Sequence, residues 1–244
     1  MEFTTDPFQF DQDFLRTHLL SCLSFDLANN LSGKPTGELS GDLRLAGVDE
    51  VGRGCLAGPL VAAAVVLDYS RIFKTSEAFP SLCGLTDSKK LSSGTRENLF
   101  ASILNSAYRV SWVAISSQTI DEVGLHKCNM AALAHALELL DDSYKLAIVD
   151  GFDLKRSDLY ARRLVKADSK SAVVAAASVL AKVVRDRLMR TLDFEYPQYG
   201  FAKHMGYATK LHKEALQKFG PCSLHRLSFR GVVVNPSSNI QLKL

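Results

Sequence analysis

The sequence predicts an α/β fold. Three observations carry that expectation. Short and almost wholly apolar runs recur along the chain, helical periodicities separate them, and glycine, proline or acid marks the junctions. Residues 45–48 form the first apolar strand and run into Asp49-Glu50. Residues 60–67 form a second, entered through Gly58-Pro59. A helix over 96–106 precedes a third strand over 108–115. The short connections among these three predict an antiparallel meander. Residues 130–140 read as an apolar helix, and 145–149 as a compact buried strand ending at Asp150-Gly151. Residues 163–166 read as a further strand ending at Asp168. An alanine-rich helix spans 171–189, and a last one spans 207–219 before Gly220-Pro221 stops it.

The region before the first strand has another character. Residues 1–43 hold two basic and seven acidic residues. Leu15, Leu19, Cys22, Leu23 and Leu27 recur at helical spacing, so a short amphipathic helix is expected, packing on its own domain. Gly33, Pro35, Gly37 and Gly41 mark a linker over 32–42. The expected layout is an acidic extension over 1–43, an α/β domain with a C-terminal helical part over 44–231 and a tail over 232–244.

Composition narrows the class. Of 244 residues 47% are hydrophobic and 23% charged, which supports a sizeable core and excludes wholesale disorder. No apolar run is long enough to span a bilayer, so no membrane role is expected. The first residues lack the basic start of a secretory signal. Cys22, Cys55, Cys83, Cys128 and Cys222 are an odd, widely spaced set without a C-x-x-C pair. A reduced, cytoplasmic protein without a zinc or disulfide framework is the expectation. The net charge of +3 hides a basic C-terminal part: residues 151–231 hold sixteen basic and seven acidic side chains. Such a region suits a phosphate backbone. A solvated helix surface explains the charge equally well.

The chemistry is written at the strand ends. Acids at one apolar strand end are ordinary termination. Acids at three, Asp49-Glu50, Asp150 and Asp168, imply that a sheet sets them side by side at one edge. Clustered carboxylates repel unless a cation neutralises them, and as hard oxygen ligands they favour Mg²⁺ or Mn²⁺. Two such ions about 4 Å apart suit phosphodiester hydrolysis, one on the attacking side and one on the leaving side. Neighbours in a regular strand face opposite ways, so Asp49 and Glu50 share a site only if the strand ends or bends there. Gly52-Arg53-Gly54 follows at once. Its third glycine, Gly58, is one place late for a dinucleotide fingerprint, and a strand follows instead of a helix. The turn suits close backbone approach to a sugar-phosphate, including a 2′-hydroxyl. A plain tight turn also explains it.

These residues resemble a known family. The run from Gly47 to Gly54, with Ala57-Gly58-Pro59, resembles the signature of type 2 ribonuclease H. Leu85-Thr86-Asp87-Ser88-Lys89-Lys90-Leu91 and Val149-Asp150-Gly151 look like its next motifs. Lys166-Ala167-Asp168-Ser169, with Ala175 to Val183 and Arg185-Asp186, is similar to a fourth. Tyr199-Gly200-Phe201, His204, Gly206-Tyr207 and His212 are like the last. The resemblance implies a ribonuclease H-like fold: a five-stranded mixed sheet flanked by helices, with a C-terminal helical part. It implies an endoribonuclease acting on the RNA strand of RNA–DNA hybrids and 5′ to ribonucleotides embedded in duplex DNA, leaving 3′-hydroxyl and 5′-phosphate ends.

It also assigns residues. Asp49, Glu50, Asp150 and Asp168 match the metal-binding acids. Gly52, Arg53 and Gly54 match the turn that reads the ribonucleotide. Tyr207 matches the tyrosine that packs on the following deoxyribose. Lys89, Lys90 and the basic end of the long helix (Lys182, Arg185, Arg187, Arg190) are candidate phosphate contacts, with a solvated role as open for each. Cys55 stands where proline is common, Met205 where lysine is usual, and Ala208 where glycine is usual. His204, His212 and His225 lack the i, i+4 spacing of zinc hydrolases, and hydrogen bonding or packing is their expected role. A type 3 ribonuclease H is the rival, opposed by the short acidic leader and Tyr207. A non-catalytic nucleic-acid-binding module is opposed by the four acids. A monomer is expected. The tail over 240–244 resembles a shortened sliding-clamp-binding peptide, and a frayed terminus explains it too.

Overall fold

A computed structural model describes residues 6–29, 43–70 and 79–232, with side chains described outside 19–29. The linker over 32–42, the tail over 240–244 and the side chains of Leu19, Cys22, Leu23 and Leu27 lie outside these residues. Five strands form one sheet: β1 (Arg44–Val51), β2 (Leu60–Asp68), β3 (Arg109–Ile115), β4 (Leu146–Asp150) and β5 (Ala161–Leu164). The order is β3-β2-β1-β4-β5. β1, β2 and β3 form the expected antiparallel meander, while β4 and β5 run parallel to β1.

β2 alternates between the two layers, because both of its faces are covered. Val61, Ala63, Val65 and Leu67 join one core, and Leu60, Ala62, Ala64 and Val66 the other. The first face is covered by the long helix α5 (Ala172–Glu195). The second is covered by α4 (Leu125–Glu138). Helix α2 (Ser93–Ser106) packs on α5, and α3 (Ser117–Val123) leads into α4. Nearly every residue from Ala172 to Val183 is buried, so the first half of α5 is apolar nearly all round, as a central helix must be. It lies so near β1 that a Cβ on Gly47 would meet the Val173 carbonyl carbon at 2.4 Å. Any side chain there would push the helix off the sheet.

Helix α1 (Pro7–Asn29) brings Phe8 and Leu15 into the α5 core. Asp11, fully buried, accepts from the Tyr69 hydroxyl at 2.5 Å and the Val173 N–H at 3.0 Å. Burial pushes its carboxyl up to about 7. Beyond α5, a helical turn at Phe201–His204 and helix α6 (Lys210–Phe219) complete the C-terminal part.

Four details depart from the sequence expectations. β5 is Ala161–Leu164, not 163–166: Tyr160 and Lys166 hold left-handed φ values of 44° and 55°, which fix the turns on either side. Asp168 therefore sits on a 3-10 turn (Ala167–Ser169) just before α5, not at a strand end. Helix α4 starts at Leu125 because Gly124, at φ 94°, breaks it from α3. The last helix starts at Lys210 behind its cap Thr209, leaving Tyr207 in the turn before it.

Candidate active site

β1 stays regular through both acids: Asp49 pairs with Ala63 and Glu50 with Ala62 of β2. The expected end or bend at this point is absent. The opening arises on the other side, where the last β1–β4 pair is Val48 with Val149. Asp49 thus comes level with Asp150, where β4 ends, and Glu50 projects past it into a notch. Asp49 faces Ser178 of α5, and Glu50 faces Asn129 of α4. Asp150, the last residue of β4, closes the notch, and its Oδ1 accepts from the Ala167 N–H at 2.7 Å. That bond ties it to the turn carrying Asp168.

The electrostatics are those of charges left in deficit. Burial first, then Glu50 and Asp150, push the Asp49 carboxyl up to about 8. Burial, and next to it Asp150, push Glu50 to about 7, against the pull of Arg53. Burial, Asp150 and Asp87 raise Asp168, which Lys89 eases. Among the described residues no group of three or more His, Cys, Asp or Glu side chains is gathered tightly enough to hold an ion as it stands. Asp49 Oδ1 and Asp150 Oδ1 accept from the Glu50 and Ala167 N–H groups instead, at 2.8 and 2.7 Å. The donor set still fits a hard divalent cation. It is all carboxylate oxygen, its like charges lie within mutual reach, and the buried Glu50 Oε2 has no partner.

Beside the notch lies the glycine turn. Gly52 holds φ 94°, and a Cβ there would meet Arg185 Nε at 2.3 Å. Around Gly54 a Cβ would meet nothing within 4 Å, so a ligand has open access to the backbone. Arg53 reaches Glu50 at 3.6 Å and lies over Phe152, 4.7 Å from the ring centroid. Lys89 and Lys90 are both exposed, and Lys89 acts on both Glu50 and Asp168.

Two buried arginines clamp this turn from beneath. Arg185 donates to the Pro59, Met205 and Ala57 carbonyls at 2.8, 2.8 and 3.1 Å. Arg226 donates to the Gly58 and Arg53 carbonyls at 2.9 Å. Both are fully buried, and burial pushes Arg226 down to about 10. Arg185 is thus neither a phosphate contact nor a solvated charge, contrary to both readings of the basic helix end. Lys182 pairs with Asp186 at 2.8 Å, while Arg187 and Arg190 pair with Glu97. The clamp joins the glycine turn to the segment of Tyr207: Leu56 N–H donates to the Gly206 carbonyl at 2.8 Å. Tyr207 is 38% exposed, with its hydroxyl toward the buried Cys55 thiol. Every ring nitrogen of His204, His212 and His225 has a partner within the protein, the hydrogen-bonding role expected of them.

Sequence reasoning missed Asn129, Ser178 and Asp87 as neighbours of the acids, and Arg226 altogether. Ser178 and Asp87 stand inside the quoted motifs and could have been found there. Asn129 carries one signal, a lone amide on an apolar helix.

A five-stranded mixed sheet in this order, with helices on both faces and a C-terminal helical part, defines a ribonuclease H-like fold. The comparisons with known proteins narrow the class. Residues 46–232 match the family described as Ribonuclease HII. The ribonuclease HII of Caldicellulosiruptor bescii is 43% identical over 185 residues, 76% of this chain and 85% of that protein. The crystal structure of ribonuclease H2 from Pyrococcus horikoshii OT3 superposes with a TM-score of 0.65 at 29% identity, covering 78% of this chain and 95% of the other. Ribonuclease HII in the PCNA:RNase HII complex from Archaeoglobus fulgidus gives 0.64 at 31% identity, covering 76% and 95%. The chain belongs to the ribonuclease HII family and is an endoribonuclease of the type 2 ribonuclease H class.

Proposed function

We propose that this endoribonuclease cuts the RNA strand of RNA–DNA hybrids and the 5′ side of ribonucleotides embedded in duplex DNA, using two divalent cations and leaving 3′-hydroxyl and 5′-phosphate ends. One observation supports the reading: acids from β1, β4 and the turn before α5 lie within electrostatic reach of one another, beside a glycine turn clamped to the segment of Tyr207. Asp49, Glu50, Asp150 and Asp168 hold the cations. Bound Mg²⁺ or Mn²⁺ supplies Lewis-acid stabilisation to the scissile phosphate and offsets the repulsion among the acids. The backbone at Gly52 and Gly54, with Arg53, reads the ribose and orients the phosphate. Lys89 acts on the acids and, with Lys90, adds positive charge for the nucleic-acid backbone. Tyr207 packs on the deoxyribose after the cut ribonucleotide and thereby marks an RNA–DNA junction. The 2′-hydroxyl is recognised and is not the nucleophile.

A cleavage assay with Mg²⁺ and with Mn²⁺ tests this on two duplexes, one a full hybrid and one carrying a single ribonucleotide in DNA. Cutting of both is expected. Cutting of long hybrids alone would overturn the junction reading. The tail over 240–244 is proposed to bind a sliding clamp, in line with the archaeal complex with PCNA. A pull-down with and without those five residues decides between that role and a frayed end.

A further inference from the structure

Three histidines lie buried in the C-terminal part, and their partners fix which nitrogen carries each proton. The Cys222 N–H donates to His225 Nδ1 at 2.9 Å. His225 Nδ1 is therefore an acceptor, and in the neutral ring the proton sits on Nε2. That nitrogen lies 3.0 Å from His212 Nε2, so His225 donates and His212 accepts. The His212 proton is then on Nδ1, where it donates to the Tyr207 carbonyl at 2.9 Å. The order is fixed from one end to the other: Cys222 amide, His225, His212, Tyr207 carbonyl. The opposite His212 tautomer would set a lone pair against that carbonyl oxygen. On the preceding residue, Gly206 N–H donates to His204 Nδ1 at 3.2 Å, while His204 Nε2 donates to the Tyr199 carbonyl. His204 stacks on His212 with centroids 4.3 Å apart. Burial holds all three rings below their ordinary pKa, which keeps them neutral as the relay requires.

We propose that His212 and His225 are positioning residues for Tyr207 and so tune how the enzyme discriminates an RNA–DNA junction from a continuous hybrid. This rests on the reading of Tyr207 given above. His212 acts on the Tyr207 backbone directly. His225 acts through His212, by dictating its tautomer. Neither touches the substrate.

Two substitutions of His212 separate the two halves of the relay. An asparagine amide reaches the place of Nδ1 and a glutamine amide that of Nε2. His212→Gln loses the bond to Tyr207 and keeps that to His225, whereas His212→Asn does the reverse. The readout is kcat/KM of the full chain on a single-ribonucleotide duplex divided by kcat/KM on a full hybrid. His212→Gln is expected to lower this ratio about fivefold, the worth of one neutral hydrogen bond. His225→Phe should lower it in the same direction, and His212→Asn should recover most of the loss. Equal losses on both duplexes would overturn the proposal, since a structural role lowers both alike. Tyr207→Ala serves as the control. If it leaves the ratio unchanged, the junction reading falls and the relay with it. If it collapses the ratio while His212→Gln does not, the relay alone falls. Nitrogen-15 NMR of the unmutated protein gives a test that needs no variant. A His212 ring protonated on Nδ1 at neutral pH is expected, and protonation on Nε2 would overturn the relay.

Discussion

The acid notch and the platform beneath Tyr207 sit beside each other and are held by opposite means. At the notch, charges of one sign are buried together, Glu50 Oε2 lacks a partner, and three carboxyls are raised above their ordinary range. On the platform, two buried arginines spend their donors on backbone carbonyls, and three histidines spend every ring nitrogen. The platform is complete without a ligand. The notch is not: burial and mutual repulsion raise its carboxyls, and Arg53 and Lys89 offset that only in part.

The contrast breaks most sharply at Asp49. Asp49→Asn is expected to lower kcat in Mg²⁺ by more than about a hundredfold, since even outer-shell changes at metal sites cost about 10–100-fold. Circular dichroism should show the fold intact, because burial of an amide here relieves repulsion. Near wild-type turnover would remove Asp49 from the site. On the platform the order of damage reverses. Arg226→Ala should cost on the order of 3 kcal/mol of stability, read by urea unfolding, as the Gly58 and Arg53 carbonyls lose their donor and a buried volume empties. A variant as stable as the parent would show that the clamp is dispensable.

A smaller effect is expected at Arg53, which bridges the two regions through Glu50 and Phe152. Arg53→Ala should raise KM about tenfold and flatten the salt dependence of duplex binding by about one phosphate contact. An unchanged salt slope would place its charge off the backbone.

A separate effect lies away from both regions, at Asp11. Its carboxyl is raised to about 7 in the fold, so the folded state holds a proton that the unfolded chain releases near pH 4. The stability this contributes is full below that point and is lost as pH rises through about 7. Between pH 5 and pH 8 the melting temperature of the parent should therefore fall relative to that of Asp11→Asn. A constant difference across that range would contradict a raised carboxyl.

How much of this was legible in the sequence follows from the range of the interactions. The meander, the central helix and the acids at 49, 50 and 150 were readable because local apolar runs and their ends mark them. The last strand slipped by two residues because an edge strand with exposed Arg162 and Arg163 has little apolar pattern to bound it. The turn at Asp168 was hidden for the same reason. Arg185 and Arg226 were misread or missed because cations default to the surface, and their partners are carbonyls up to 173 residues away. No local pattern announces that pairing. The regular course of β1 through Asp49 and Glu50 was also out of reach, since the notch is made by where β4 stops.

The most direct test is a crystal structure of the full chain grown with Mn²⁺, read by anomalous scattering. The account predicts Mn²⁺ peaks between Asp49, Glu50, Asp150 and Asp168, with carboxylate oxygens drawn in to bonding distance. Peaks elsewhere, or an acid edge that stays apart at saturating Mn²⁺, would contradict it.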